Sequence, residues 1–167
     1  MIDDHAVFIG GIAGTGKTRM GACLGRHSRF SVTRKTYLWR NVYGRHGDLR
    51  EAANLDRCIA ASLASPGVDA LGLDEGRLRA ELPATPTYEA VFAAVHRLRA
   101  HDVNKPRWGD QLGLVEAYAE PIFAAFPAAK MVHMVRDPRC PRLADQGPGK
   151  VGWMVGKWLT SLELAER

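Results

Sequence analysis

The chain has 167 residues, 46% of them hydrophobic and 25% charged, with a formal net charge of +5 and a sequence pI near 9.4. This is the profile of an ordinary globular chain, so intrinsic disorder and reliance on disulfides or a structural metal are excluded. The positive balance favours anionic partners such as nucleotides and sulfated or phosphorylated compounds. The charge is dispersed and no stacking motif accompanies it, which speaks against nucleic acid.

In chain order, Ala6–Gly10 is an apolar run ending in glycines and reads as a buried strand. A glycine loop follows, and Lys17–Arg26 reads as a helix. Thr36–Arg40 reads as extended, with its aromatic and branched residues. Asp48 is expected to cap a helix running to about Leu63, and Leu73–Leu82 to hold a short helix. Thr85 and Pro86 are expected to open a helix carrying Tyr88, Val91, Phe92, Val95 and Leu98 on one face. Lys105–Asp110 reads as a short strand entering a turn, and Leu112–Phe126 as a helix broken near Pro121. Lys130–Val135 reads as a second buried strand, Pro141–Gly149 as a polar turn, and Val151–Leu164 as an amphipathic helix. Strands and helices alternate, so the expected fold class is α/β: three layers around a parallel central sheet, of the P-loop NTPase-like kind. A single nucleotide-binding domain spanning 1–167 is expected, incomplete at its C-terminal end.

Three cysteines, Cys23, Cys58 and Cys140, show no metal-ligand spacing, and the six histidines are scattered. No metal is expected. The N-terminus lacks the basic and apolar regions of a signal peptide and no stretch approaches spanning length, so a cytoplasmic location without a membrane span is expected.

Gly11-Ile12-Ala13-Gly14-Thr15-Gly16-Lys17-Thr18 satisfies GxxxxGK[ST] between a strand and a helix. Glycines let successive N–H groups turn towards an anion, the helix start adds its dipole, Lys17 a charge and Thr18 a hydroxyl. Gly11, Ala13, Gly14, Thr15, Gly16, Lys17 and Thr18 are therefore candidate binding residues. The loop alone does not name the anion. A Walker-type NTPase needs a second strand ending in a carboxylate for Mg²⁺. The available sequence, MVHMVRD, ends in Asp137 between Arg136 and Arg139, and two guanidinium groups suit a second phosphate better than a cation.

The string FPAAKMVHMVRDPR resembles the 3′-phosphate segment of the sulfotransferase family. KPRWGDQLGLVEAY resembles its WGDK/WGDQ element and VFIGGIAGTGKT its first loop, IGGxxRSGTT. YGRHGDLREAANLDRCIAASL and GWMVGKWLTSLELAER also resemble bacterial members. The departures are Gly14 and Thr15 where the family has arginine and serine, Lys17 where it has threonine, Cys140-Pro141 at a usually polar pair, and Ala144 where it has serine. The resemblance implies a sulfotransferase using 3′-phosphoadenosine 5′-phosphosulfate (PAPS) without metal, acting on a small-molecule or glycan acceptor. It implies that Arg136 and Arg139 serve the 3′-phosphate. Lys17 and Asp110 are the candidate catalytic residues, Asp110 as base at the acidic position of WGD, ahead of Glu116 and His133. Arg40 and Arg45 could reach an anionic acceptor. Two alternatives stand beside this reading: an ATP-binding kinase or NTPase, and a shortened nucleotide-binding domain without activity.

Overall fold

The computed structural model describes residues 3–139 and 151–166. Strand β1 (Asp3–Gly10) leads through the glycine loop to helix α1 (Lys17–Arg26), and β2 (Phe30–Arg34) follows. Three short helices and one of three turns come next: α2 (Leu38–Asn41), α3 (Ala52–Leu63), α4 (Pro66–Asp69) and α5 (Glu75–Ala80). The long helix α6 (Tyr88–Asp102) precedes β3 (Arg107–Gln111). A 3-10 turn (Val115–Tyr118), α7 (Ala119–Ala125), β4 (Lys130–His133) and α8 (Val151–Ala165) complete the described elements.

The described strands form one sheet in the order β2-β3-β1-β4, and every pairing is parallel. The strand order places β1 in the interior, with β3 on one side and β4 on the other. Its C-terminal end therefore opens onto a crevice at the point where the chain changes direction across the sheet, the usual ligand position in open α/β sheets.

Side-chain alternation along the strands explains the layers. Gln111 and Val32 face α1, whose Gly21 approaches both closely enough that a Cβ there would lie 3.5 Å from each. Phe8, Trp108 and Asp110 face the opposite layer. Phe8 stacks on Phe92 of α6 with ring centroids 5.7 Å apart, and Trp108 meets the same ring edge-on at 5.7 Å. Trp39, Trp108, Phe8 and Ile59 are all buried. At about 25 cal/mol per Å² of apolar surface, this aromatic cluster is the main stabilising mass of the α6 side. The expected parallel three-layer α/β architecture is the observed one.

Several boundaries differ from the sequence expectation. Thr36–Arg40 is not extended: the strand is Phe30–Arg34, and the chain then turns through Lys35 and Tyr37 into α2. Strand propensity is overridden because Leu38 and Trp39 are drawn into the core and Thr36 bonds to Asp110. Asp48 does not cap α3. Its carboxylate takes Arg50, and the helix starts at Ala52 after Glu51. The cap of α6 is Thr87 rather than Thr85, its hydroxyl accepting from the Ala90 N–H at 3.2 Å. The break in 112–126 falls at Tyr118, leaving Pro121 inside the first turn of α7, where its missing N–H costs nothing. β3 extends through Gln111, so Asp110 lies within the strand.

Candidate functional site

The glycine loop is held open by its own backbone. Gly11, Gly14 and Gly16 have φ of 109°, 88° and 98°, a region that favours glycine. At Gly11 a side chain would also strike the Met134 carbonyl just after β4 at 2.4 Å. Inside the loop, the Thr15 hydroxyl and the Lys17 ammonium both donate to the Ile12 carbonyl, at 2.9 and 2.7 Å. Gly16 is the N-cap of α1 and provides no side-chain cap, and the first turn carries no acidic residue. The free N–H groups of that turn and the positive end of its dipole are thus left for an external anion. Ala13, Gly14, Gly16 and Thr18 are exposed, whereas Gly11 and Thr15 are buried.

Lys17 is half-buried. Burial lowers its pKa from the ordinary lysine value, and the nearby Glu116 carboxylate partly opposes that shift. Glu116 is buried beneath the loop and is 2.5 Å from His133 Nδ1. A Cβ on Gly10 would lie 2.1 Å from Glu116 Oε1, so only glycine permits this approach. Glu116 Oε2 is buried without a hydrogen-bond partner. Read from the sequence, His133 is a core residue and both groups rank behind Asp110, because nothing local signals that β4 and the 3-10 turn meet under the loop.

On the β3 side, the residue that meets Thr18 is Gln111, its Oε1 accepting from the Thr18 hydroxyl at 3.3 Å. Sequence reasoning missed this contact, which follows from β3 lying beside β1. Asp110 points to the other face of the sheet. It is fully buried, with Oδ1 accepting from Thr33 at 3.0 Å and Oδ2 from Thr36 at 2.9 Å. His96 Nε2 lies 3.7 Å from Oδ1.

On the β4 side, Arg136 follows the strand and donates to the Gly14 carbonyl at 3.2 Å, while its own carbonyl accepts from Trp158 Nε1 of α8 at 3.0 Å. Arg136 thus links the loop to the last helix. Arg139 is turned back on Asp137, with NH2 to Oδ2 at 2.6 Å, and is 88% exposed. That pairing holds the Asp137 carboxyl down at about 2. Ala144 and the Cys140-Pro141 pair lie outside the described residues.

A cavity of about 400 Å³ opens between the glycine loop, the Lys35–Arg40 segment, the chain after β3, and α8. Lys17, Lys35, Arg40 and Lys157 line it, and among the described residues no carboxylate does. Asp110 and Arg45 are not among its lining residues, and Arg45 instead donates to the Arg40 carbonyl at 3.2 Å. Among the described residues no three His, Cys, Asp or Glu side chains gather as a metal site, and no helix is long and apolar enough to cross a membrane. The family model described as "Sulfotransferase family" matches residues 6–144. No curated protein matches the chain.

Proposed function

This chain belongs to the sulfotransferase family, and from that premise we propose that it moves a sulfuryl group from PAPS to a hydroxyl or amine of an acceptor, without a metal ion. Membership supports a transferase of sulfuryl groups in general. The choice of donor rests on the residues around the glycine loop.

The observation that carries the proposal is Gln111. In a parallel α/β NTPase the strand beside the loop strand presents a carboxylate to Mg²⁺ near the loop hydroxyl. Here the side chain meeting Thr18 is a neutral amide. Asp110, the neighbouring acid, faces the α6 layer with both oxygens accepting hydrogen bonds, and Asp137 is bound to Arg139. The donor set is therefore cationic and amide-rich. It suits a phosphosulfate better than a nucleoside triphosphate with Mg²⁺.

The residues fit such a donor. The loop amides from Gly14 to Thr18 and the Lys17 ammonium would hold the 5′-phosphosulfate. Arg136, tied to Gly14, would take the 3′-phosphate, with Arg139 reaching the same group only after leaving Asp137. When bound, the donor supplies a sulfuryl group on a phosphate leaving group. The acceptor oxygen or nitrogen bonds to sulfur as the sulfur–oxygen bond to the phosphate breaks. The acceptor's proton would pass to water, giving the sulfated product and 3′,5′-bisphosphoadenosine. Lys17 and the loop amides would stabilise the charge gathering on the bridging oxygen, a contribution of about 10²–10³ in rate for one such donor.

Asp110 takes a different part from that expected of a base. Its carboxylate is sealed in the core and fixes Thr33 and Thr36, so we assign it a positioning role in the wall of the site. The test of the whole reading is sulfate transfer from ³⁵S-labelled PAPS in EDTA. Transfer that persists in EDTA supports it. Absence of transfer together with Mg²⁺-dependent ATP hydrolysis sinks it in favour of the NTPase alternative.

A further inference from the structure

The cavity beside the glycine loop has more positive charge than the donor needs. In the proposed reading, Lys17 serves the phosphosulfate and Arg136 the 3′-phosphate on the β4 side. Lys35, Arg40 and Lys157 remain, facing the same space from the β2 side and from α8. Among the described residues none of these three side chains has an ion pair, and no acid lines the cavity. Like charges gathered around one half-open space, with no counter-charge among the described residues, repel one another, and an anion relieves that repulsion.

The backbone that carries them is constrained. Lys35 and Tyr37 have φ of 56° and 54°, a region that side-chain-bearing residues rarely adopt. The turn is held in place from several directions. The Lys35 N–H donates to the Gln111 carbonyl at 3.2 Å, and the Thr36 hydroxyl donates to Asp110 Oδ2 at 2.9 Å. The Ser65 hydroxyl donates to the Thr36 carbonyl. Gly67 packs so close behind that a Cβ there would lie 2.2 Å from the Lys35 carbonyl oxygen. Strain that is held this firmly fixes the direction in which neighbouring side chains leave the chain. Across the cavity, the Lys157 ammonium sits 3.8 Å from the Trp153 ring centroid. Leu112, Leu114 and Met154 supply an apolar lining. An apolar body with a few convergent charges is the usual make-up of a small-molecule site.

We infer that the acceptor is an amphiphilic anion, a hydroxyl compound with an aromatic or aliphatic body and an acidic group, and that Lys35, Arg40 and Lys157 bind that group. The inference rests on the sulfotransferase reading and deepens it. The acidic group anchors the acceptor on the β2 side, and the hydroxyl is thereby presented towards Lys17 and the loop.

The test uses a matched pair of probes, 4-hydroxyphenylacetate and its neutral amide, titrated calorimetrically into protein saturated with 3′,5′-bisphosphoadenosine. The acid is expected to bind about tenfold more tightly than the amide, as a charge-assisted contact allows. Lys35→Gln and Arg40→Gln should each remove most of that preference, weakening the acid about fivefold while leaving the amide within about twofold. Both variants should retain the affinity for 3′,5′-bisphosphoadenosine, which reports that the loop is intact. Equal binding of acid and amide, or binding of neither to the saturated protein, overturns the inference and leaves the donor assignment standing. Failure of 3′,5′-bisphosphoadenosine to bind at all removes the sulfotransferase reading, and the inference falls with it.

Discussion

The two flanks of the glycine loop are built differently. On the β3 and β2 flank, the wall is set by a buried network: Asp110 receives Thr33 and Thr36, and the strained turn at Lys35–Tyr37 is clamped to it. On the β4 flank, the buried Glu116 meets His133 beneath the loop, and beyond the strand end lie exposed guanidiniums, Arg136 touching the loop at the Gly14 carbonyl and Arg139 paired with Asp137. Under the proposed function the contrast separates two tasks. A rigid wall suits recognition of one acceptor shape, because side chains fixed before binding lose little entropy on binding. Exposed arginines suit capture of a mobile, doubly charged nucleotide end, where charge and reach matter more than fixed geometry. In the proposed function the loop between them would serve both, with Lys17 half-buried at its base.

The largest effect is expected at the centre. Lys17→Met should lower sulfate transfer by about 10²–10³, the cost of one stabilising donor at a developing charge, with little loss of fold by circular dichroism. A change below tenfold would move the catalytic cation elsewhere. Arg136→Ala comes next: 3′,5′-bisphosphoadenosine should bind at least about tenfold more weakly, in keeping with loss of a charge-assisted contact. Adenosine 5′-phosphosulfate, which lacks the 3′-phosphate, should be almost unaffected. Equal weakening of the two ligands would take Arg136 out of the 3′-phosphate site and erase the division between the flanks.

The buried flank should respond in stability. Asp110→Ala leaves the Thr36 hydroxyl without its acceptor, at about 1–3 kcal/mol for a buried group left unpaired, while the Thr33 hydroxyl keeps the Gly109 carbonyl. Urea denaturation measures this directly, and Asp110→Asn should cost less. A neutral result for Asp110→Ala would mean that the wall does not depend on the network.

A pH series sharpens the role of Lys17. Its pKa is lowered by burial, so between the folded and unfolded values the unfolded chain binds more protons and stability rises with pH. Below that window the buried charge is a standing penalty. Anion binding needs the charged form, so affinity for 3′,5′-bisphosphoadenosine should fall with rising pH earlier than an ordinary lysine would dictate. Affinity that is flat up to the usual lysine range would contradict the burial. The smallest effect is expected from Arg139→Ala, less than about twofold on nucleotide binding, because an exposed ion pair contributes little. A loss as large as that of Arg136→Ala would show that Arg139 leaves Asp137 when ligand binds.

How much of this was legible in the sequence depended on distance along the chain. The glycine loop was readable because its strand, glycines and helix start are consecutive, and the family resemblance agreed with the family match. The parallel α/β class followed from the alternation of elements. Phe30–Arg34 was missed because a five-residue strand with three polar members carries a weak pattern, while the aromatic residues after it imitated a stronger one. Asp110 looked like an active-site acid because its partners, Thr33 and Thr36, come from a strand and turn distant in sequence. Gln111 and Glu116 gained meaning only once β3 and β4 were seen to flank β1. Topology decides which side chains meet, and no local pattern carries it.

The proposed function stands or falls on whether this loop holds a phosphosulfate nucleotide without metal. Calorimetric titration of the protein with 3′,5′-bisphosphoadenosine in EDTA, set against ATP with Mg²⁺, tests it most directly. Saturable binding of the bisphosphate in EDTA, unchanged when Mg²⁺ is added, and weaker binding of ATP under both conditions are expected. Tight ATP binding that requires Mg²⁺, with no heat from the bisphosphate, would contradict it.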